Sequence, residues 1–353
     1  MTVLGLVTTP GGVHTTEVAE LPVPRPGAGE LLLRPVEVGV CGTDREIHDG
    51  TFGVAPEGRD RLVLGHELLG VVERDGHGFA RGDLVAATVR RSCGHCDACA
   101  EDSPDACHTG DYRERGITRL DGFARELVAE RAEHLVPVPH SLGRLGVLAE
   151  PASICARAIR HARAVAERQP WRPARALVIG PGAIGMLSTY FLRLDGFEVW
   201  TAGRSPGTTA KAQLAEACGA RYISTSETPL AGLAEESGGF DLVIEAAGDA
   251  QIMLDTLGLL RAGGVACLIG VDGRNRDVSL EGPVVGVDVI LQNRALLGSV
   301  NAHVRDWTAA VEHLARASAR WPDALAQFVG LRVPVDRFAE AFDFQGVKAT
   351  LQF

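Results

Sequence analysis

Four of the chain's eight cysteines crowd into one run, CGHCDACAEDSPDAC, where Cys93, Cys96, Cys99 and Cys107 are spaced C-x2-C-x2-C-x7-C. Thiolates this close repel one another unless a cation sits among them, and zinc satisfies four sulfurs in a tetrahedron at about 2.3 Å each. An iron–sulfur cluster is the competing assignment, because C-x2-C-x2-C also opens bacterial ferredoxin motifs. Here the fourth cysteine comes too late for that motif and lacks its proline. Left as free thiols, the four would be open to oxidation. The interleaved acids Asp97, Glu101, Asp102 and Asp105 would repel nucleic-acid phosphates. The run therefore reads as a structural zinc lobe over about 92–108.

A fifth cysteine, Cys41, ends an apolar run in EVGVCGTDREIHDG. A free cysteine is commonly buried and inert, so its role depends on partners. His66 and Glu67 adjoin glycines in GHELLG, and Glu150 lies in LAEPASI. Cys41, His66 and Glu150 would supply a thiolate, an imidazole and a carboxylate from three segments. That set leaves zinc one open position, as a catalytic zinc requires. Taken singly, His66 reads as a structural histidine and Glu67 as a solvated acid.

A different chemistry is written in ARALVIGPGAIGMLSTYFLRLDGFEVWTAGRS. An apolar strand over 176–179 runs into the turn Gly180-x-Gly182-x-x-Gly185, then an apolar helix over 183–194 and a second strand over 197–202. Placed between strand and helix, such glycines let the backbone approach a pyrophosphate at the positive helix N-terminus. The second strand ends in Gly203, Arg204 and Ser205, with no acid before Glu216. A ribose 2′-hydroxyl calls for an acid there and a 2′-phosphate for arginine, so the expected dinucleotide is NADP, with NAD as the alternative.

These groups need a scaffold, and 353 residues exceed what one hydrophobic core normally supports. Before residue 142 the chain alternates short β-rich segments with Gly, Pro and Asp turns and shows no helical periodicity. An all-β, barrel-like domain is expected. Further strands at FDLVIEAAG, GGVACLIGV and RALLGSV alternate with helices, which predicts a doubly wound parallel sheet. The net charge of −10, with no basic tract, argues against nucleic-acid or anionic-membrane partners. No apolar run approaches the roughly 20 residues that span a bilayer, and the N-terminus lacks signal-peptide features. The cytosol is the expected compartment, where clustered cysteines are metal ligands more often than disulfides.

Taken together, these residues resemble the medium-chain, zinc-dependent alcohol dehydrogenases over essentially the whole chain. GHELLGVVERDG matches the family's GHE-x2-G-x5-G signature, GDLV its barrel motif and GPGAIG its nucleotide loop, and the four-cysteine lobe has the family spacing. Within the family, CGTDREI and NRALLGSVNAHV look most like the microbial glucose 1-dehydrogenases, which oxidise aldoses to lactones. The resemblance implies an α/β chain. A GroES-like catalytic domain would span 1–155 and 302–353, and a Rossmann domain 156–301. Cys41, His66 and Glu150 would hold the catalytic zinc, with Glu67 beside it, and Thr43 would bond the substrate oxygen. Glu114, Glu150 and Asn301 would meet sugar hydroxyls. Gly180, Gly182, Ala183, Ile184, Gly185, Arg204, Ser205, Ala247, Gly270 and Asn301 would line the nucleotide. Most of these positions imply one cleft between the domains. The resemblance also implies two zinc ions and a homodimer or homotetramer.

Two departures stand out. Many relatives carry a proton-passing histidine five residues after the zinc cysteine; here that position is Glu46, with His48 two residues on. Val89 and Ile154 stand where some sugar enzymes of the group are polar. The expected reaction is hydride transfer from C1 of an aldose to NADP, the alternative substrates being a polyol, cyclitol or amino sugar.

Overall fold

The run ELLLRPVEVGV forms the strand Glu30–Val40, which organises the first half of the structure. In the computed structural model, which describes all residues from Met1 to Phe353, this strand is flanked by Glu67–Val72 and Lys348–Gln352, both antiparallel to it. The registers set Gly39 opposite Glu67 and Val40 opposite Ala349. Residues far apart in sequence thereby meet at one end of the strand. Gly39 is required there, since a Cβ would lie 1.9 Å from Glu67 Oε2. Leu33, Val38, Leu68, Leu69 and Val85 are all buried in the core around this sheet, which is covered on both faces.

The chain divides into two units: Met1–Ser153 with Asn301–Ala315 and Val329–Phe353, and Ile154–Val300 with Arg316–Phe328. The second unit carries six parallel strands ordered Arg221–Ser224, Glu198–Gly203, Arg175–Ile179, Phe240–Glu245, Leu260–Leu268, Ala295–Gly298. This is the doubly wound order. Leu177, Trp200, Phe240 and Val243 lie in its core. The apolar helix forms as Ala183–Leu194.

Two features depart from the sequence expectation. A helix, Gly42–His48, stands in the half of the chain that shows no helical periodicity. It is too short for periodicity to register and is set by its cap: Cys41 Sγ accepts from Thr43 N, while Asp44 Oδ2 accepts from Cys41 N at 2.9 Å. The segment Arg316–Phe328, expected with the catalytic domain, belongs to the nucleotide unit. There Trp321 and Phe328 pack edge-on against buried Tyr190, with ring centroids 5.3 and 4.9 Å away.

Candidate active site and metal centres

The capping turn before Gly42–His48 aims Cys41 at a histidine just ahead of the strand Glu67–Val72: Cys41 Sγ and His66 Nε2 lie 3.1 Å apart. On the other side of the ring, His66 Nδ1 is 3.5 Å from Asp44 Oδ1. Both atoms are buried and have no other partner. The carboxylate thus favours a proton on Nδ1 and leaves Nε2 free as a ligand. Burial opposes charge on His66, yet Cys41 and Asp44 overcome it and raise its pKa well above the usual value. For Asp44 burial raises and His66 lowers, and the net shift is downward. The site's field favours a cation.

Glu67 completes a cluster with Cys41 and His66 whose ligand atoms all lie within 4.8 Å of one another. Its carboxylate is also clasped by Lys348, whose Nζ donates to Oε1 and Oε2 at 2.6 and 2.7 Å and to the Val40 carbonyl at 3.2 Å. Both side chains are almost completely buried. Sequence reading missed Lys348 and Asp44 alike. Glu150 is buried nearby, and desolvation together with the Glu67 charge pushes its pKa up to about 7, against the pull of His66 and Lys348. The tight three-residue cluster holds Glu67 rather than Glu150.

The donor set fits zinc: a thiolate, an imidazole oriented by a carboxylate, and two further carboxylates in a water-poor setting. The lobe fits as well. Its four Sγ atoms lie within 4.8 Å of one another, with Cys93–Cys99 at 3.8 Å and Cys96–Cys99 at 3.5 Å. A tetrahedron with arms of about 2.3 Å has edges of about 3.8 Å. A backbone hydrogen bond from His95 lowers Cys93 to about 5, whereas desolvation and the adjoining sulfurs push Cys99 up to about 12. The lobe is pinned from the returning chain: His303 Nε2 lies 3.0 Å from Asp102 O, and Asn301 Nδ2 donates to Asp105 O at 3.5 Å.

The other sequence-derived residues fall into place unevenly. Glu114 is gripped by Arg90, whose Nε and Nη2 reach its Oε1 at 3.1 and 3.0 Å. Its Oε2 has no protein partner. Glu46 is exposed. His48 is not brought to the metal cluster. Its Nδ1 meets Thr16 Oγ1 at 2.8 Å, its Nε2 meets His14 Nδ1 at 2.9 Å, and its ring packs on Phe342.

In the second unit each glycine of the loop has its own reason. Gly180 adopts φ +100, and a Cβ on it would lie 2.7 Å from Ala247 N. A Cβ on Gly185 would strike Gly180 O at 1.9 Å. Gly182 caps the helix without a side-chain hydrogen bond, and its Cβ position opens on empty space. The loop therefore leaves free N–H groups and room for a pyrophosphate. Gly270 has no room for a side chain, since its Cβ would lie 2.4 Å from Gly248 N. Ala247 N is held by Glu245 Oε1 at 2.8 Å. At the second strand's end, Ser226 and Tyr222 hydroxyls hold the Arg204 and Ser205 carbonyls at 2.8 and 3.0 Å. The Arg204 guanidinium itself is exposed and uncommitted.

Residues 27–140 match the alcohol dehydrogenase GroES-like domain and residues 143–353 the glucose dehydrogenase C-terminus. The chain belongs to the zinc-dependent medium-chain dehydrogenases, in their glucose dehydrogenase branch. Within that family it is 41% identical over 350 residues to glucose 1-dehydrogenase of Methanocella arvoryzae, covering 98% of each chain. Its identity to the Thermoproteus tenax enzyme of that name is 37%, covering 98% of this chain and 97% of that one. Among solved structures, Haloferax mediterranei glucose dehydrogenase in complex with NADP, Zn and gluconolactone superposes with a TM-score of 0.91 at 32% identity, over 99% of both chains.

Family membership sharpens the expectation for Arg204. A charge-assisted hold on a 2′-phosphate is worth about 1.5–3 kcal/mol. Arg204→Ala is therefore expected to raise the Michaelis constant for NADP at least about tenfold and to leave that for NAD nearly unchanged. Initial rates with both nucleotides check this, and equal losses would remove Arg204 from the phosphate site.

Proposed function

We propose that this chain is a zinc-dependent glucose 1-dehydrogenase that transfers a hydride from C1 of an aldose to NADP and forms the lactone. The observation that carries the reading is the Cys41–His66–Glu67 cluster with its oriented imidazole, in a chain matching glucose dehydrogenases along its whole length. The related Haloferax structure contains NADP, zinc and gluconolactone.

When bound, zinc supplies a Lewis acid that eases deprotonation of the C1 hydroxyl, and NADP supplies the acceptor for the hydride. Cys41, His66 and the adjoining Glu67 and Glu150 would hold the metal, and Asp44 would keep the imidazole in register. Thr43, whose backbone N–H bonds Cys41 Sγ at 3.2 Å, would accept a hydrogen bond from the C1 hydroxyl and, as that proton arrives, pass its own hydroxyl proton on toward solvent. Glu114 would present its free Oε2 to a sugar hydroxyl while Arg90 fixes the other oxygen. Asn301, held at φ +70 against the lobe, would offer a further polar contact.

Gently purified protein is expected to carry two zinc ions per chain. A chelator should remove the one at Cys41 first, since the four-sulfur lobe is a closed site. Metal analysis after timed dialysis reads both points, and a single zinc would contradict the assignment.

Initial rates over a panel of aldoses and polyols test the substrate. Glucose or galactose should lead, and an enzyme that ignores every aldose yet oxidises a cyclitol would overturn the reading. Glu114→Gln, which keeps the side chain's shape beside Arg90, should lower kcat/KM for the aldose by about ten- to a hundredfold, the effect of one charge-assisted bond. NADP affinity should stay unchanged in the same variant.

A homo-oligomer is also part of this reading. The strand Ala295–Gly298 is an edge of the six-stranded sheet, and Ile290, Leu291 and Val300 near it are 65%, 74% and 65% exposed. Bare apolar edges of this kind are normally covered. No helix is long and apolar enough to cross a membrane. A cytoplasmic location is part of the same reading, and none of the eight cysteines is joined in a disulfide.

A further inference from the structure

An open cavity of about 690 Å³ in the first unit is walled by five arginines: Arg59, Arg113, Arg115, Arg119 and Arg125. None of the Cys41, His66 or Glu67 side chains lines it. Such a concentration of cations is unexpected in a chain with net charge −10. Two of the five are neutralised, Arg59 by Asp121 and Arg115 by Glu130, both at 2.8 Å. The other three have no carboxylate partner. Arg113 and Arg119 are exposed, and Arg125 spends one Nη on the Pro22 carbonyl while its buried Nε bonds nothing. The remaining acids on the wall, Glu57 and Asp111, are exposed and pair with none of these arginines.

Backbone geometry points the same way. Arg119 sits in the left-handed region at φ +56. A long L-residue avoids that conformation, and such strain concentrates at ligand-binding sites. Arg113 and Arg115 flank Glu114 in the strand Arg113–Arg115. Side chains alternate along a strand, so these arginines face away from the side on which Glu114 meets Arg90. Burial lowers the pKa of Arg125, and the neighbouring Arg115 and Arg59 add to the shift against the pull of Asp121. The cavity therefore holds a cation short of its counter-charge.

We propose that this cavity binds a phosphorylated small molecule at a site separate from the Cys41 centre. Three uncompensated guanidinium groups call for a ligand with two or more negative charges, and a phosphoryl group concentrates nearly two on three acceptor oxygens. Planar arginine forks match that geometry. The volume lies in the range of small-molecule sites and exceeds what a lone phosphate fills. The wall also includes Ser92, Cys93 and His95, so a bound ligand would touch the zinc lobe.

The test is calorimetric titration of the zinc-loaded protein with pyrophosphate and with inorganic phosphate, under saturating NADP so that the nucleotide loop is occupied. Pyrophosphate should bind once per chain, more tightly than phosphate. The pair Arg113→Gln and Arg119→Gln, both exposed and outside the catalytic machinery, should weaken it at least about tenfold with glucose oxidation unchanged. Arg125→Lys, which keeps the charge and loses the fork, should also weaken it. Absence of binding at millimolar pyrophosphate would overturn the proposal, as would equal affinity in the double variant. So would equal binding of succinate, which would reduce the cavity to a general anion trap. Binding lost instead in Arg204→Ala would assign the heat to the nucleotide site and also overturn it.

Discussion

Lys348→Met is expected to destabilise the first unit by about 3–5 kcal/mol, the usual cost of removing one partner of a buried ion pair. The penalty arises because Glu67 stays behind, with both oxygens deprived of the ammonium that now donates to them at 2.6 and 2.7 Å. Side-chain exposures of 3% and 1% leave no room for water to replace it. The neutral pair Lys348→Met with Glu67→Gln should recover most of the loss, because neither residue then buries an uncompensated charge. Thermal unfolding of both variants and the wild type, all zinc-loaded, reads the difference. A single variant as stable as the wild type would show that Glu67 finds another counter-charge, and the cluster's electrostatics would need redrawing.

The second large effect is expected at Asp44. Carboxylates that orient a ligating imidazole are typically worth ten- to a hundredfold in metal affinity, and Asp44→Asn should lose about that much at the Cys41 centre. Asparagine still accepts from the Cys41 N–H, so the helix cap survives. What it removes is the negative charge 3.5 Å from His66 Nδ1. Competition with a chromophoric chelator measures the affinity without recourse to turnover. The four-sulfur lobe in the same molecule is the internal control: its zinc should exchange as in the wild type. Equal affinity at the Cys41 centre would mean that Asp44 serves the cap alone.

Much of the molecule was readable from local spacing. The lobe's sulfurs, the strand Glu30–Val40 and the helix Ala183–Leu194 are set by neighbours in sequence, and their chemistry shows in a window of a dozen residues. Cys41 and His66 also meet as expected, because the turn after one strand and the start of the next are adjacent in the sheet. What stayed hidden depends on non-local register or on single capping bonds. Lys348 is a lone lysine until the sheet sets its strand beside Val40. Asp44 looks like a solvated acid until its capping box turns it toward His66. His48, two residues past the position where many relatives carry a proton-passing histidine, turns both its ring nitrogens to Thr16 and His14, contacts that no local window shows. Glu114 has arginines on either side in sequence, yet its partner is Arg90, from the neighbouring strand.

The clasp on Glu67 also sets a schedule. Its two members are 281 residues apart, and the whole nucleotide unit is written between them. At about 5–20 residues per second, a ribosome needs a quarter of a minute to a minute to traverse that interval. During that time the strand from Glu30 to Val40 exists with one flank bare, and Glu67 has no ammonium to meet. Closing so long a loop is slow unless the intervening domain folds first and shortens it. The order of assembly is thus built into the topology: nucleotide domain early, metal centre last, with the unpaired carboxylate keeping the half-made site hydrated until Lys348 arrives.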